Sequence, residues 1–457
     1  MKKEMTQDER YEQMMHDPVQ RLIPRMAIPT IISMMVTAVY NMADTFFVSQ
    51  INTQASGAVG IIFSLMAIIQ AFGFMIGMGS GNHISRLLGQ KKEKSAEEFA
   101  AVCFFTELIV GTLIAVLLLA NLHTLVRMLG ATETIAPYAV DYARYILMAT
   151  PFIMCAFGMN NMLRFQGNAL YAMIGITTGG ILNIVLDPLF IFGLGMGISG
   201  AALATALSQL ISFCILTCQC NFRKSCISIS PRNFRPSLGM YRKILGTGMP
   251  SLSRQGIASV AVILMNFAAQ PYGDAAIAAM SIVSRYGNFI NSAVIGFGQG
   301  FQPVCGFNYG AGNYRRVMEA FHYCVRVAVK WLILMAVVSF LFAHPIMAAF
   351  RRDDAAVIAI GTLALRAQCV TLPFAAYLTM ANMFTQTIGY GVRATIVSIL
   401  RQGICFVPLI LILPAVFGLW GVVLTQPISD TASVLISFLI CRSILREMEE
   451  KERSVAA

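Results

Sequence analysis

Charged side chains are scarce in this sequence. Only 12% of its 457 residues are Asp, Glu, Lys or Arg, whereas 57% are hydrophobic. A soluble domain of this composition would not have enough polar residues to cover its surface. The scarcity of charge therefore argues against a soluble protein and favours one that lies mostly within a membrane.

Several chemical signatures are also missing. The sequence has no phosphate-binding loop with its lysine, no nucleophile placed beside a general base, and no metal-ligand spacing. Only five histidines are present, and none lies near the one group of cysteines, which comprises Cys214, Cys218, Cys220 and Cys226. We therefore expect neither an enzyme nor a bound cofactor or metal, and we interpret these cysteines as reduced thiols.

Long apolar runs are what the sequence does have. Runs of about twenty residues recur along the chain, and each is long enough to cross a bilayer as a helix. Their starts lie near Ile23, Gly57, Phe99, Ala136, Tyr171, Gly200, Ile244, Ala276, Val327, Val357, Ala394 and Gly418. We expect an all-α polytopic membrane protein with twelve transmembrane helices. The polar residues 1–22 have no apolar core or cleavage site, so we expect a cytoplasmic lead-in there and no signal peptide.

The two halves of the chain match at an offset of about 221 residues. The matching pairs include Pro29 with Pro250, Gly77 with Gly298, Gly79 with Gly300, Gly89 with Gly310, His123 with His344, and Gly197 with Gly418. This offset predicts two pseudo-symmetric six-helix bundles, at residues 23–221 and 244–442, joined by a cytoplasmic loop 222–243 and followed by a tail 443–457. Paired bundles around a site at the membrane midplane are typical of secondary transporters.

The net charge of +11 is distributed unevenly. In the twelve-helix arrangement the basic residues lie almost entirely on the side of the termini and of the loop 222–243, and the opposite side carries only Arg127, Arg351 and Arg352. Cytoplasmic loops of membrane proteins carry such an excess. We therefore expect a multi-pass protein of a prokaryote-type plasma membrane with both termini in the cytoplasm, and no nucleic-acid partner.

Two carboxylates fall inside predicted helices of the first bundle. Asp44 lies in the first helix and Asp187 in the fifth, both about four to six residues before the outer end, so they should lie at similar depth. Asn183 is one helical turn from Asp187 on the same face. The sixth and fourth helices return Thr205 and Tyr142 to that level.

These side chains form an oxygen-rich set. A carboxylate in the bilayer costs several kcal/mol unless it is paired, wetted or protonated. Two carboxylates, an amide and a hydroxyl suit a small hard cation, or a proton held between the two acids. The sequence leaves H⁺ and Na⁺ open as the bound ion. The alternative interpretation is that both aspartates are structural and hold helices together.

Prolines stand close to these acids. Pro188 follows Asp187 directly, and Pro29 lies in the helix that carries Asp44. A proline removes one backbone hydrogen bond from a helix and so allows it to bend. We expect helix bending at Pro29, at Pro188 and at Pro250, the counterpart of Pro29 in the second repeat.

The second repeat does not reproduce the acid pair. The stretch 267–272 corresponds to Asp44, the apolar stretch 407–409 corresponds to Asp187, and only Asp430 is an embedded acid there. The embedded basic residues of this half are Arg254, Arg285, Arg366 and Arg401. Arg366 and Arg401 could pair with each other, with Asp430 or with lipid phosphate.

Four stretches carry a resemblance to a known family: Ala43–Val48, Arg164–Asn168, Asn183–Pro188 and Gly197–Thr205. Together with the six-plus-six repeat, they resemble the multidrug and toxic compound extrusion (MATE) transporters over essentially the whole chain. The pattern is most similar to the MepA-like and DinF-like branch. It differs from the NorM-like branch, whose acids in the seventh and tenth helices are replaced here by the stretches 251–255 and 380–382.

The resemblance implies a cation or proton site in the first bundle, at Asp44, Asn183, Asp187 and Thr205. Candidate substrate contacts lie nearby, at Tyr40, Asn41, Tyr142 and Asn160.

The implied function is secondary active efflux of amphipathic or cationic organic compounds in exchange for H⁺ or Na⁺, by alternating access. The expected partners are small-molecule drugs and membrane lipids, and the expected state is a monomer. The alternative is a lipid-linked oligosaccharide flippase of the same superfamily, in which the embedded arginines would line the cavity.

Overall fold

The computed structural model describes residues 6–222, 227–350 and 354–456, and within these ranges the regular structure is helical throughout. In the first half the helices are α1 (Gln7–His16), α2 (Val19–Ser49), α3 (Thr53–Gly89), α4 (Glu93–Ala120), α5 (Leu122–Met128), α6 (Ala136–Phe165), α7 (Ala169–Pro188) and α8 (Gly197–Phe222). In the second half they are α9 (Leu238–Ala269), α10 (Asp274–Gly310), α11 (Tyr314–Leu341), α12 (Ala343–Phe350), α13 (Ala355–Ile388), α14 (Gly391–Ile399), α15 (Phe406–Phe417) and α16 (Leu419–Ala456). One π-helical turn follows α7 at Leu189–Gly193, and another joins α14 to α15 at Leu400–Ile404.

The helix bounds confirm the predicted repeat. Helices α3 and α10 begin and end 221 residues apart, and so do α4 and α11. A short helix follows in each half, α5 in the first and α12 in the second. The duplication visible in the sequence is therefore a duplication of six long helices in the same order.

Eleven helical segments of the described ranges are long and apolar enough to cross a membrane. Helix α10 is 37 residues long, like its counterpart α3, but it is not one of these eleven segments. It packs against α2, α11 and α13 like the other long helices. Counting α10, the described residues form the twelve long helices expected from the sequence, in an all-α architecture.

The helices form two lobes with separate apolar cores. In the first lobe α6 packs against α3, α4 and α8, and in the second its counterpart α13 packs against α10, α11 and α16. One cluster of buried apolar side chains fills the first lobe and reaches Ile244 of α9. The other fills the second lobe and extends onto α1, the start of α2 and the start of α7. The two-bundle fold predicted from the sequence is confirmed.

The lobes touch at the end of the molecule where α1, the last turns of α16 and the start of α9 lie, which we call the basic end. There α2 packs against α10, and α3 packs against α9. Glycines allow this approach: a methyl group at Gly89 would overlap the carbonyl oxygen of Phe307, and one at Gly310 would overlap that of Arg86. These two contacts are related by the repeat, so the seam between the lobes is pseudo-symmetric in its backbone.

Helix α1 lies across this seam. Thr6 caps it by accepting from the backbone N–H of Glu9, whose carboxylate accepts in turn from the N–H of Thr6. Arg10 donates to the carbonyl of Gly167 in the first lobe at 2.8 Å. The Asn308 amide of the second lobe donates to the carbonyl of Met14 at 3.1 Å. The lead-in expected at residues 1–22 thus includes a helix that contacts both lobes.

Candidate cation and substrate site

Asp187 is the centre of a polar cluster inside the first lobe. It is fully buried near the end of α7. Asn183, one turn earlier on the same helix, donates from Nδ2 to Asp187 Oδ1 at 3.3 Å and to Thr205 Oγ1 of α8 at 3.2 Å. The spacing of four residues along α7 places the amide and the carboxylate together, as the sequence predicted.

Asp44 joins this cluster through Tyr142. The Tyr142 hydroxyl of α6 donates to Asp44 Oδ2 at 3.5 Å, and its ring is buried. Tyr142 also contacts Thr205, and Asp44 lies close enough to Asp187 for their charges to interact. Four helices, α2, α6, α7 and α8, therefore bring together the five side chains that the sequence placed at one depth.

Three oxygen atoms of the cluster lack a hydrogen-bond donor within the described ranges. They are Asp44 Oδ1, Asn183 Oδ1 and Asp187 Oδ2, all of them buried. Buried polar atoms in native proteins nearly always have partners, so such atoms need an explanation. Oxygens of carboxylates and amides are ligands of hard cations, and a carboxylate oxygen can equally hold a proton. The arrangement can therefore take up a small cation or a proton between two acids that otherwise repel each other.

The other predicted pocket residues lie at different places. Tyr40 packs beside Gly180 of α7 and interacts with the charge of Asp44, one turn away on α2. Asn41 is partly exposed on the same stretch of α2. Tyr40 borders the polar cluster, and Asn41 lies three residues before Asp44 on α2. The predicted contact of both residues with substrate stays a prediction.

Asn160 lies away from the cluster. Its Nδ2 donates to the carbonyl of Ala172 at 2.9 Å, which ties α6 to the first turn of α7. Ala172 precedes Asp187 by about four helical turns, or roughly 22 Å along the axis. Asn160 is therefore placed near the basic end, apart from the acids.

The prolines lie where the sequence put them relative to the acids. Pro29 is inside α2, which continues as a helix from Val19 to Ser49, and Pro250 is inside α9. Pro188 ends α7 and is followed at once by the π-helical turn Leu189–Gly193. A wide turn directly after Asp187 is a local departure from α-helical geometry of the kind often found at functional sites. Bending at these prolines stays a prediction.

The second lobe holds an ion pair between a buried aspartate and a partly exposed arginine, and the sequence had not decided this pairing. Arg401, in the π-helical turn between α14 and α15, donates to both oxygens of Asp430 on α16, at 2.7 and 3.3 Å. Gln426, one turn before Asp430, donates to the same carboxylate at 2.7 Å. Arg366 lies instead over the ring of Phe340 at 5.5 Å. The embedded acid of the second lobe is thus neutralised by its own arginine.

We expect the change Arg401→Met to destabilise the protein strongly. Asp430 is fully buried, and removing its cation would leave an uncompensated charge, which costs about 3–5 kcal/mol. Thermal unfolding of the purified protein in detergent measures the effect. The double change Arg401→Met with Asp430→Leu should recover most of the loss, because it removes both charges. A single variant as stable as the wild type would contradict the assignment.

Two further polar features were not predicted as sites. Ser251 and Gln386 are linked by a hydrogen bond of 2.8 Å, and Arg254 donates to Asn382 at 3.2 Å, so α9 and α13 share a polar network in the second lobe. Glu107 on α4 is fully buried, and neither of its carboxylate oxygens has a hydrogen-bond partner in the part of the chain that the structure describes. Only isolated polar residues within apolar runs mark these positions in the sequence.

The cysteine group shows no metal-site geometry in its described members. Cys214 and Cys218 are exposed on α8, Cys220 is buried, and Cys226 lies outside the described residues. Within the described ranges, no cluster of three or more His, Cys, Asp or Glu side chains is arranged to hold a metal ion.

Comparison with known proteins identifies the family. A profile of the MatE family matches residues 29–189 and 250–412, which is one match in each repeat and more than half of the chain. The chain therefore belongs to the MatE family, whose members are membrane transporters. The resemblance drawn from the sequence motifs is confirmed.

The relatives cover almost the whole chain. Multidrug export protein MepA of Staphylococcus haemolyticus (strain JCSC1435) is 26% identical over 430 residues, 94% of each chain. MepA of Staphylococcus aureus (strain NCTC 8325 / PS 47) is 25% identical over 426 residues, 93% of each chain. A solved structure described as the outward-facing conformation of a multidrug resistance MATE family transporter has a TM-score of 0.91 and 28% identity, and covers 96% of this chain and 98% of that chain.

Proposed function

We propose that this protein is a secondary active exporter of amphipathic, often cationic organic compounds. Export is coupled to the inward movement of H⁺ or Na⁺, which binds at Asp44, Asn183, Asp187 and Thr205. The protein acts as a monomer in the plasma membrane, with the basic end in the cytoplasm. The protein needs no resident cofactor, because the ion is a co-substrate.

The observation that carries this proposal is the polar cluster of the first lobe. Two acids, Asp44 and Asp187, share one buried site with three oxygen atoms that no donor satisfies within the described ranges. Binding of a cation or a proton stabilises an acid pair inside a transporter fold, because it removes the repulsion between the two negative charges. The relatives named as multidrug export proteins support organic compounds as the cargo.

The position of the cluster supports a cycle of alternating access. Asp44 lies near the end of α2 that is remote from the basic end. The lobes pack together at the basic end, through α2 with α10 and α3 with α9. An ion can thus reach the acids from the outer side while the inner side is closed. Ion binding then changes the charge beside Pro188 and the π-helical turn, and it favours the conformation in which the neutral cluster is more stable.

Ethidium efflux from pump-deleted cells tests the proposal. Cells that make the wild-type protein should export ethidium, and cells without it should not. A proton uncoupler and the external Na⁺ concentration are varied independently. Loss of export with the uncoupler, at any Na⁺ concentration, would identify H⁺ as the coupling ion, whereas dependence on Na⁺ with the uncoupler present would identify Na⁺.

Two results would contradict the proposal. Export unaffected by both treatments would exclude coupling to either ion. The second is that no export of several cationic dyes occurs although the protein is present in the membrane. This would exclude a drug exporter and favour the alternative, a lipid-linked oligosaccharide flippase.

A further inference from the structure

A cavity of about 540 Å³ opens at the basic end, on one side of the seam between the lobes. Its walls are the last turns of α3 in the first lobe and the starts of α9 and α14 in the second. The cavity is remote from the acid cluster, which lies toward the other end of α2 and α7. It therefore needs an explanation of its own.

The mouth of this cavity is basic. His83, Arg86, Arg242 and Lys243 line it, and no acidic side chain of the described residues does. Arg242 and Lys243 are exposed, and within the described ranges neither side chain is held by a hydrogen bond or an ion pair. Two free cations beside a third are a favourable environment for a phosphate group.

Arg86 and His83 are occupied in joining the lobes. Arg86 Nη1 donates to the carbonyl of Ile388, at the end of α13, at 3.0 Å. His83 Nε2 lies 3.2 Å from the carbonyl of Lys243 on α9. The Arg86 guanidinium also contacts the His83 ring at 3.0 Å. The floor of the cavity is thus built from both lobes, and it exists only while they are together.

The wall that leads away from the mouth is apolar and exposed. Met249 of α9 is 40% exposed, and Val392 and Ile396 of α14 are 78% and 36% exposed. Met249 lies about two helical turns beyond Arg242 and Lys243 on α9, and Ile396 lies more than one turn into α14, whereas Val392 is in the first turn of α14. A free phosphate ion cannot cover this wall, whereas an acyl chain can pack along it. The cations and the wall together have the amphipathic character of a lipid.

Among the described residues, the other side of the seam does not repeat this set of cations. The repeat places Phe307 at the position of Arg86, Val304 at that of His83, and Leu22 at that of Lys243. Only Arg242 has a basic counterpart, which is Arg21. That side is covered by α1, whose Met14 is fully buried. Packing of two similar lobes therefore does not require His83, Arg86 and Lys243, because the residues at their repeat-related positions are apolar.

We propose that this cavity binds the phosphate headgroup of an anionic membrane lipid, with one acyl chain along Met249, Val392 and Ile396. Basic pockets between membrane helices on the cytoplasmic side are suited to such headgroups. Because α3 lies in one lobe and α9 and α14 in the other, the bound lipid stabilises the conformation in which the basic end is closed. The lipid acts on the conformational equilibrium and touches neither acid of the cluster.

Lipid binding to the purified full chain tests the proposal. Phosphatidylglycerol and phosphatidylcholine are titrated into detergent-solubilised protein, and inorganic phosphate is titrated separately. Phosphatidylglycerol should bind at least tenfold more tightly than phosphatidylcholine and should raise the Tm. The double change Arg242→Gln with Lys243→Gln should weaken phosphatidylglycerol binding about tenfold or more, since each basic residue contributes substantially to headgroup attraction.

The repeat offers a matched control. Arg21 and Arg25 are exposed cations on α2 at the same end but outside the cavity. The double change Arg21→Gln with Arg25→Gln removes the same charge and should leave phosphatidylglycerol binding unchanged. Equal weakening by both double variants, or equal binding of the two lipids by the wild type, would overturn the proposal. If inorganic phosphate raises the Tm as much as phosphatidylglycerol does, free phosphate is the ligand and the lipid proposal is wrong.

Lipid binding and export are separate readouts. Selective phosphatidylglycerol binding that depends on Arg242 and Lys243 would support the lipid site even in a protein that exports no dye. Conversely, dye export without selective lipid binding would support the proposed export function and contradict the lipid site. All four exchanged arginine and lysine side chains are exposed, so both double variants should fold.

Discussion

Replacement of Asp187 by Asn is expected to abolish drug export while the protein still folds and reaches the membrane. Asn has nearly the same shape as Asp and can still accept from the Asn183 amide, which lies 3.3 Å from Asp187 Oδ1. It cannot release or bind a proton, and it brings no negative charge to a cation. We expect ethidium efflux to fall by at least about a hundredfold, to the level of cells without the protein, because ion coupling is lost entirely. Asp44→Asn should have a similar effect.

The first lobe contains a matched control for this experiment. Glu107 is as fully buried as Asp187 and sits in the same lobe, but on α4, outside the cluster. Glu107→Gln should therefore leave export close to the wild-type rate. If Asp187→Asn exports normally, Asp187 is a structural residue, as in the alternative interpretation of the sequence. If Glu107→Gln also abolishes export, the loss of any buried acid in this lobe is enough to stop export. The result would then not support a special role for the polar cluster.

Replacement of Gly89 and Gly310 by Ala is expected to prevent closure of the basic end. In an isolated helix the change from Gly to Ala stabilises by about 1 kcal/mol. Here the new methyl groups would overlap the carbonyl oxygens of Phe307 and Arg86, which belong to helix backbones and cannot move aside independently. Overpacking of this kind costs about 1–3 kcal/mol at each site, so the clash outweighs the gain in helix propensity. Two such sites on one seam favour separated lobes.

Hydrogen–deuterium exchange of the purified protein measures this opening. In the double variant, exchange should become faster at the ends of α3 and α10, and dye export should fall about tenfold or more, because the cycle requires a closed inner side. Gly239→Ala is the control, since a methyl group there meets no neighbouring atom within 4 Å and lies at the same end of the molecule. Unchanged exchange in the double variant would contradict the proposed role of these glycine contacts.

The candidate site could be read from the sequence to a large extent. Asn183 and Asp187 are four residues apart on one helix, so their proximity is a local property. Asp44 and Thr205 follow from counting residues to the ends of apolar runs, because all the helices cross the same thickness of membrane. Tyr142 was placed by the same count. The structure brings these five side chains together.

Asn160 shows where that reasoning ends. Its inclusion came from the family resemblance, and the structure ties it to the carbonyl of Ala172 near the other end of α7. The partner of Arg401 could not be predicted either. Asp430, Arg366 and lipid phosphate were equal choices, because pairing depends on how α14, α15 and α16 pack, and no local spacing encodes that.

The sequence by itself determined the number of long helices, their duplication at 221 residues, and the set of residues around Asp187. These follow from apolar run length, from self-similarity and from helical spacing, all of which act along the chain. Only the tertiary structure decided how the lobes meet through Gly89 and Gly310, how α1 lies across the seam, and which side of the seam holds a basic cavity. The physical reason is that these features depend on contacts between helices that are far apart in sequence. At these contacts the two repeats have similar backbones but different side chains.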